Sequence, residues 1–464
     1  MRPSNKSIRA PGVRGPVPIR RRERVVRLVN MGLTAAVLSF VAPGLGQLYN
    51  RQWIKGLLFL AVDALGLWYF IQHLPRAVWG IVTLGTQKQH MEKVGKITKM
   101  VPGDHSIHLL VEGLIILIFF AIFVWFYVQA VTDARRNGHL LAGGGRPPSF
   151  FKSAGSLFDK TFPYTMLALP AIGILFLTIM PILFGILIAF TNFSGPNFVP
   201  PNALVDWVGF RTFADLLTLK TWSYTFWHVL AWTVEWAVLS TVTTYFGGML
   251  VAMLVQQPGI RFKKFWRTLF IVPFAIPQLC SALIMNNLFN GEFGPVNQYL
   301  GMLGIDKIGW LTDPQWAKFT VVLVNAWFGI PVTMMLMFGV LSTIPRDLYE
   351  AADVDGATSF QKFRTITLPR ILFVTAPVLI MQFAGNINNF NAIYLLTGGD
   401  PKTGDYQFAG QTDLLVTWLY KLTLDNNKYN FASAIGIIVF LIIASISIIS
   451  YLQTKSFKEE DMVQ

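Results

Sequence analysis

Cysteine is nearly absent from this chain of 464 residues, in which Cys280 stands alone within an apolar run. A single cysteine excludes an intramolecular disulfide and any metal site built mainly from thiolates. The cysteine pattern therefore does not indicate whether the chain folds in an oxidising or a reducing compartment.

Charged residues are also scarce, at 13% of the sequence against 53% hydrophobic residues. This balance excludes a soluble globule and predicts a membrane protein that contacts a lipid bilayer. The formal net charge of +14 does not predict a nucleic-acid partner, because no soluble basic domain carries it. Cytoplasmic loops of polytopic membrane proteins collect Lys and Arg, which explains the same excess.

Catalytic signatures are missing as well. The sequence has no Gly-x-x-x-x-Gly-Lys-Ser/Thr phosphate loop, no zinc spacing, no paired catalytic carboxylates and no Ser-His-Asp order. His90, His105 and His108 lie in one loop, where solvated side chains are a better interpretation than a metal site. The chain is therefore not predicted to be an enzyme, and any ATP must be hydrolysed by another chain.

Long apolar runs dominate what is present. A helix needs roughly 20 residues to cross a hydrocarbon core of about 30 Å. Eight runs predict spans, at about 54–73, 109–129, 164–190, 230–254, 267–288, 319–341, 371–396 and 431–452. A ninth run, 29–48, is interrupted by Pro43, Gly44 and Gly46, so we expect an interfacial or re-entrant segment. The fold class is an all-α polytopic membrane protein.

The distribution of basic residues orients these spans. With both termini inside, the cytoplasmic segments hold 26 Lys or Arg and the outer segments hold 12, as the positive-inside rule requires. The loop 74–108 is an exception, because it places five basic residues outside. The predicted domains are a basic cytoplasmic tail (1–28), an N-terminal membrane hairpin unit (29–150), a six-span core (160–453) and a second cytoplasmic tail (454–464).

The segment 342–371 is a polar island between two spans of the core, on the predicted cytoplasmic side. Pro345 can open a short helix, and Gly356 can close it in a left-handed C-terminal position. Thr358 or Ser359 can then cap a second short helix. The island is therefore predicted to be a helical hairpin outside the bilayer.

The surface of this hairpin suits a protein partner. Ala351 and Ala352 leave it flat enough for another backbone to come close, and Glu350 offers a charge to a basic group. Pro369 is expected to end the second helix. We interpret the island as a docking surface.

The spacing within the island resembles the EAA loop of bacterial ABC importer membrane subunits. That pattern is Glu-Ala-Ala, three residues, Gly, nine residues, then Ile, one residue and Leu-Pro, and it is complete at 350–369. The stretches 289–294, 347–352 and 386–390 are also similar to the larger, MalF-like subunit of maltose and maltodextrin importers. The likeness covers about residues 160–455.

The resemblance implies a six-helix type I importer core in a bacterial plasma membrane. The implied function is uptake of a neutral oligosaccharide, first of all maltodextrin, with other sugars or glycerol phosphate as alternatives. The implied partners are a second homologous permease subunit, a solute-binding protein and two ATPase subunits, which hold the ATP and Mg; this chain binds no cofactor. The residues implied in coupling to the ATPase are Glu350, Ala351, Ala352, Gly356, Leu368 and Pro369.

The span 371–396 carries a set of amides suited to a sugar. Gln382, Asn386 and Asn389 would share one helical face, with Phe390 next to it. Amides buried in lipid need hydrogen-bond partners, so they predict either a wet, sugar-binding cavity or bonds between helices.

The resemblance adds roles for part of this set. Asn386 and Asn389 match sugar-contacting positions of the maltose subunit. Gly385 stands where that subunit has an aromatic residue, so the aromatic partner of the sugar differs.

A second contribution to the substrate path is expected just after the span 267–288. Asn290, Phe293, Gly294 and Asn297 lie where Gly and Pro would break a helix, as happens at transporter sites. An ordinary extracellular turn explains the same residues.

Charge patterning within the spans bears on the cargo. The spans 319–341 and 371–396 contain no charged residue, so an ionic substrate would remain unpaired and a neutral one is expected. Asp63, Glu112 and Glu235 do lie in apolar runs. They leave open a second hypothesis, an ion-coupled secondary transporter or channel that works alone. Glu112 and Glu235 lie near span ends, where interfacial placement or pairing explains them equally well.

Overall fold

The chain is predominantly helical. The computed structural model describes residues 19–94, 97–151, 155, 162–257 and 259–453. Within these ranges seven helices are long and apolar enough to cross a membrane, and two more, bent by 93°, make an eighth span when counted together. The prediction of a polytopic, helical membrane protein is confirmed, and one of the predicted spans, 267–288, corresponds to the bent pair.

The helices and strands follow one another in a simple order. In chain order they are α1 (Ile19–Val41), α2 (Leu45–Tyr49), α3 (Trp53–Thr83), β1 (His90–Val94), β2 (Ile97–Val101), α4 (Ser106–Ala142), α5 (Phe162–Ala189), α6 (Arg211–Thr218), α7 (Lys220–Gln256), α8 (Lys263–Ala275), α9 (Gln278–Leu288), α10 (Pro295–Met302), α11 (Pro314–Ser342), α12 (Asp347–Val354), α13 (Ser359–Ile387), α14 (Phe390–Tyr394), α15 (Leu415–Tyr420) and α16 (Tyr429–Gln453). Wider π turns interrupt α5 at Leu175–Ile179 and α13 at Phe363–Thr367, and a third, Lys421–Asp425, follows α15.

Two spans differ from their predicted form. The run 267–288 is not one helix, because Pro277 favours extended backbone at the preceding Ile276 (φ −89°, ψ 130°), and α8 and α9 meet there at 93°. The sequence predicts one helix over 371–396, whereas α13 ends at Ile387 and α14 starts three residues later.

The chain forms two compact units, residues 1–184 with 200–204 and residues 185–199 with 205–464. The division therefore falls inside α5. The helix α1 begins at Ile19, within the segment 1–28 that is predicted to be a tail. Residues 1–18 and 454–464 of the two predicted tails lie outside the described residues. The domain boundaries given above remain predictions.

In the first unit, α1 lies antiparallel to the end of α4. A Cβ added at Gly32 would lie 2.6 Å from the His139 ring, and the Phe40 ring lies 6.4 Å from that of Tyr127. The helix α1 then ends at Val41. A crossing needs roughly 20 residues, and the apolar stretch of α1 is shorter than that, as the interruption at Pro43 and Gly44 predicts.

Buried amides fix the turn that follows α1. The Gln47 Oε1 accepts a hydrogen bond from Ser39 Oγ (2.9 Å), and its Nε2 donates to the Ala130 carbonyl (2.7 Å). The Asn50 Nδ2 donates to the Ala134 carbonyl at 2.8 Å. These side chains are fully buried, so the turn is held against α4 by bonds that water does not compete for.

In the second unit, α7 and α11 pack closely through glycines. A Cβ added at Gly329 would lie 2.4 Å from Thr244 Cγ2, and one at Gly248 would lie 2.6 Å from Thr333 Cβ. Small residues let membrane helices approach, because lipid provides no hydrophobic force between them. This close packing brings the polar side chains of α7 into hydrogen-bonding range of its neighbours.

The loops between spans contain short structured segments. The strands β1 and β2 pair antiparallel with His90 opposite Val101. In the loop before α16, Asp413 is fully buried, and its Oδ2 lies 2.6 Å from the Lys421 Nζ. The Gly410 N–H donates to the same carboxylate at 2.7 Å.

Candidate coupling loop and substrate path

The helix α12 is closed by a complete set of C-terminal hydrogen bonds. Gly356 has φ +74°, the left-handed conformation that the sequence predicts for it. Its N–H donates to the Asp353 carbonyl (3.1 Å), and the Ala357 N–H donates to the Ala352 carbonyl (2.9 Å). This Schellman arrangement fixes the direction in which the chain leaves the helix.

The second half of the hairpin begins as predicted and ends differently. The Thr358 side chain accepts from the Gln361 N–H, and the Gln361 Oε1 accepts from the Thr358 N–H at 2.8 Å, which together form a capping box. Pro369 does not end this helix, because α13 continues through it to Ile387. The π turn 363–367 just before it widens the helix where the proline would otherwise clash with a preceding carbonyl.

One side of the hairpin is bonded to the spans. The Tyr349 hydroxyl and Thr367 Oγ1 are 2.8 Å apart, and Asp353 pairs with Lys362 at 2.5 Å. Leu368 is half-buried in an apolar cluster with Ile344, Ile371 and their neighbours. The hairpin is thus firmly attached to the ends of α11 and α13, and Leu368 contributes from the inside.

The other side of the hairpin is exposed and forms what we call the docking face, consisting of Glu350, Ala351, Val354 and Phe360. The Val354 side chain is 89% exposed and Phe360 is 68% exposed. A Cβ added at Gly356 would meet nothing within 4 Å. The four residues of the docking face therefore present one carboxylate beside two large apolar side chains, neither of which the sequence analysis assigned to this surface.

The predicted amides lie between helices and are bonded there. The Gln382 Nε2 donates to Thr244 Oγ1 (2.6 Å), and the Asn386 Nδ2 donates to Thr241 Oγ1 (3.0 Å). The Trp236 indole donates to the Asn386 carbonyl at 3.0 Å. These bonds join α13 to α7, so both amides hold helices together whatever else they bind.

Asn389 does not share the helical face of the other two amides, because α13 has already ended. Its Oδ1 accepts from the Ala392 N–H (3.2 Å) and so caps α14, while its Nδ2 faces Asn325 Oδ1 at 3.5 Å. The predicted face therefore persists only for Gln382 and Asn386. We call the five side chains of Thr241, Thr244, Gln382, Asn386 and Asn389 the polar strip.

Open space lies beside the polar strip. Gly385 is exposed, and a Cβ added there would meet nothing within 4 Å. Phe390 stacks on Tyr394 (ring centroids 4.7 Å apart), and Tyr420 lies 4.8 Å from Phe390. The hydrogen bond with Tyr420 raises the pKa of the Tyr394 hydroxyl. These rings offer an aromatic surface near the position where Gly385 has none.

The residues after α9 that were predicted to line the substrate path mostly form contacts within their own loop. The Asn290 Oδ1 accepts from the Glu292 and Phe293 N–H groups at 3.0 and 3.1 Å, which makes an ordinary turn. The Phe293 side chain is exposed. A Cβ at Gly294 would lie 2.4 Å from the Asn290 carbonyl oxygen, so the tight turn requires glycine there.

Asn297 is buried and bonded at every position of its amide. Its Nδ2 donates to the carbonyls of Gly291 (2.7 Å) and Ile308 (2.9 Å), and its Oδ1 accepts from the Trp310 indole (2.9 Å). We assign it the role of holding this loop closed.

The partners of the amides were missed by the sequence analysis, although a signal was present. Trp236, Ser240, Thr241, Thr244 and Gly248 recur at helical spacing and are all buried in α7. A polar stripe on one face of a membrane helix indicates a contact with another polar helix or with a wet cavity. Asn325 gives no such pattern, because it stands alone in an apolar run.

The acidic residues within the spans occupy different surroundings. Asp63 is buried in α3, and its Oδ1 has no hydrogen-bond partner among the described residues. Glu235 is attracted electrostatically to Lys318, whose Nζ lies 4.6 Å from the Trp232 ring. Among the residues that the structure describes, no group of three or more His, Cys, Asp or Glu is arranged to hold a metal ion.

The class of this protein is defined by three features of the described residues. These are seven long apolar helices with one bent pair, the hydrogen-bonded polar strip, and the capped helical hairpin of α12 and the start of α13. The protein is a multi-pass membrane permease with the fold of an importer subunit. Residues 244–458 match the family of binding-protein-dependent transport system inner membrane components. The chain belongs to this family of ABC importer permeases, and it is a transport subunit rather than an enzyme.

Curated relatives match almost the whole chain. The galactooligosaccharides transport system permease protein GanP of Bacillus subtilis (strain 168) is 40% identical over 92% of this chain and 98% of its own length. The maltodextrin transport system permease protein MdxF of the same organism is 38% identical over 92% of this chain and 97% of its own. Similarity at this length supports one fold throughout.

A solved structure shows the same fold. A chain of a bacterial ABC transporter involved in the import of the acidic polysaccharide alginate matches with a TM-score of 0.55 and 24% identity. The match covers 65% of this chain and 98% of that chain. The prediction of a type I importer core is thereby confirmed.

Proposed function

We propose that this chain passes a neutral oligosaccharide across the bacterial plasma membrane, along a path that includes the polar strip and the open space at Gly385. Maltodextrin is the first candidate cargo, and galactooligosaccharide is the second because of the similarity to GanP. The proposal includes an outer solute-binding protein, a second permease subunit and two cytoplasmic ATPase subunits that bind ATP and Mg. Both chain termini are placed in the cytoplasm.

The observation that carries the cargo proposal is the chemistry beside Gly385. Amides and hydroxyls of the polar strip suit sugar hydroxyls, and the rings of Phe390 and Tyr394 suit the apolar faces of a sugar. The segments 319–341 and 371–387 contain no charge to pair with an ionic cargo. A neutral ligand is therefore the better fit.

The ATPase subunits change the conformation of the permease through contacts at the docking face. Coupling requires that the ATPase subunits favour one conformation of the permease more than another. The hairpin is suited to this task, because α12 is bonded to the start of α13 through Tyr349 with Thr367 and through Asp353 with Lys362. Tyr349 also packs in one apolar cluster with Val340 at the end of α11. A displacement of α12 would therefore move the cytoplasmic ends of two spans.

A matched pair of variants tests whether Asn386 binds the sugar or only holds two helices together. Asn386→Ala removes the bond to Thr241, and Thr375→Val removes the bond between Thr375 and the Tyr245 hydroxyl (2.6 Å) in the same bundle. Each interhelical bond contributes about 0.6 kcal/mol to stability on average. We expect only Asn386→Ala to raise the apparent KM for uptake, by about three- to tenfold for one lost hydrogen bond to the sugar.

The measurement is uptake of labelled maltooligosaccharides and galactooligosaccharides into proteoliposomes that contain the complete transporter and its binding protein. Equal KM values for the two variants would restrict Asn386 to a structural role. Preferential uptake of a charged oligosaccharide would contradict the neutral cargo. Uptake that persists without the ATPase subunits would contradict the coupling.

A further inference from the structure

A cavity of about 580 Å³ opens in the first unit between the start of α3 and the segment that follows α4. Its lining includes Asn50, Arg51, Lys55 and Arg146. Consecutive antiparallel spans begin and end at the same membrane face, so this cavity lies at the boundary between lipid and water. Trp53, which also lines it, is 65% exposed, as expected for an indole at a membrane interface.

The cavity carries positive charge that the described residues leave uncompensated. Lys55 pairs with Asp133, with its Nζ 2.8 Å from Oδ1. Arg51 and Arg146 form no ion pair with any residue in the described part of the chain. The lining therefore has two guanidinium groups available to an anion, and guanidinium matches the geometry of phosphate oxygens.

Backbone N–H groups at the start of α3 would also attract an anion. The first turn of α3 begins at Trp53, and no side chain caps it. The first N–H groups of a helix have no partner within the helix, and the helix dipole favours negative charge there. An anion in the cavity would lie beside these donors as well as the two arginines.

One side chain in the lining of the cavity has a buried acceptor without a partner. Asn50 is fully buried and lines the cavity, and its Oδ1 has no hydrogen-bond partner among the described residues. Its Nδ2 is already used by the Ala134 carbonyl. An unpaired buried carbonyl is unfavourable by about 1–3 kcal/mol, so a hydroxyl group of a ligand would satisfy it.

We propose that this cavity binds the headgroup of an anionic phospholipid whose phosphodiester meets Arg51 and Arg146 and whose headgroup hydroxyl reaches Asn50. Phosphatidylglycerol has both groups. The acyl chains would run along the exposed apolar side chains at the start of α3, where Ile54 and Leu57 are 50% and 61% exposed. The lipid would hold the N-terminal unit at the membrane surface.

The test uses the assembled transporter with paired variants. Arg51→Asn with Arg146→Gln removes both charges, and asparagine tolerates the φ of 61° found at Arg51. The control, Arg135→Gln with Arg136→Gln, removes two exposed charges near the end of α4 that do not line the cavity. Preserved sugar-stimulated ATP hydrolysis reports that both double variants fold.

Native mass spectrometry and competition with dioctanoyl-phosphatidylglycerol measure the retained lipid. Each basic residue near a membrane surface contributes about fivefold to lipid affinity, so we expect the cavity variant to bind phosphatidylglycerol at least about tenfold more weakly than the control. Equal retention by the two variants would overturn the proposal. Displacement of the lipid by an equal concentration of inorganic phosphate would show a site for free phosphate instead.

Phosphatidylethanol separates the role of Asn50 from that of the arginines, because its phosphodiester carries the same single charge as that of phosphatidylglycerol and its headgroup has no hydroxyl. We expect it to bind several-fold more weakly than phosphatidylglycerol. Equal binding would overturn the assignment of a hydroxyl donor to Asn50.

Discussion

The space around individual glycines separates a tolerant position from a closely packed one. At Gly385 a Cβ would meet nothing within 4 Å, whereas at Gly329 it would lie 2.4 Å from Thr244. We expect Gly385→Phe to leave the melting temperature nearly unchanged and to abolish uptake of the longest oligosaccharides first, because the ring would occupy the open path. Uptake as a function of sugar length measures this.

The matched control for Gly385→Phe is Gly329→Ala. Overpacking of a tight helix contact destabilises a protein by about 1–3 kcal/mol, so this variant should melt at a lower temperature without a change in preferred sugar length. A Gly385→Phe protein that transports all lengths equally well would place the path elsewhere.

The buried pair of Asp413 and Lys421 predicts a large loss of stability when it is broken. Lys421→Met would leave the Asp413 carboxylate buried without its cation, which destabilises a protein by about 3–5 kcal/mol. Lys428→Met is the control, because Lys428 donates to the neutral Gly195 carbonyl and should cause a smaller loss. Thermal unfolding of the purified complex compares the two.

The same pair predicts how the loss depends on pH. Burial raises the pKa of the Asp413 carboxyl, and the Lys421 ammonium and the Gly410 N–H act against this. Without Lys421 the pKa rises further, and the folded state then binds a proton more tightly than the unfolded chain does. The stability from that proton is present below the unfolded pKa of about 3.9 and is lost as pH rises through the folded pKa.

Lys421→Met should therefore be less destabilising in mild acid than at neutral pH. A loss that does not change with pH would contradict an unpaired Asp413. Adding Asp413→Asn to Lys421→Met should restore part of the stability.

Among the elements, the coupling hairpin was the most predictable. Its outline depends on local chemistry, namely the left-handed Gly356 and the cap at Thr358, which need no knowledge of distant residues. Pro369 was misjudged as a helix end, because the π turn before it lets the helix continue. Local patterns state where a proline is unfavourable, but not how neighbouring turns adjust to it.

The polar strip was only half predictable. The amides of α13 stand out in an apolar run, but their partners Thr241 and Thr244 are more than a hundred residues away in sequence. Which helices meet is decided by packing through glycines such as Gly248. The break after Ile387 was missed because Asn389 caps the next helix, an interaction that helical periodicity does not reveal.

Gly356→Val tests whether the direction of the chain after α12 matters for coupling. A β-branched residue at φ +74° is strained, by roughly 1–3 kcal/mol, so the turn would change shape although the space around it is open. We expect sugar-stimulated ATP hydrolysis to fall while sugar binding by the solute-binding protein is unaffected. Thr358→Val, which removes only a cap contributing about 1 kcal/mol, should have a smaller effect, and the opposite order would contradict this role of Gly356.

At the scale of the whole molecule, apolar run lengths were sufficient to find the seven spanning helices and the bent pair α8–α9. The family follows from similarity along nearly the whole chain. Charge counting also assigns the hairpin 342–371 to the side with most Lys and Arg, which stays a prediction. In the proposed mechanism the sugar passes the polar strip, the ATPase subunits bind the docking face at one end of the same helices, and motion of α12 connects the two.

The most direct measurement is sugar-stimulated ATP hydrolysis by the reconstituted transporter with Glu350→Arg, compared with Asp355→Arg. Asp355 is an exposed acid at the C-terminal end of α12, and at about 100° per residue it lies about 140° around the helix from Glu350, on the opposite side. Charge reversal within an interface is unfavourable by several kcal/mol, so we predict at least about a tenfold loss for Glu350→Arg and a small change for Asp355→Arg. Equal rates in the two variants would contradict the account.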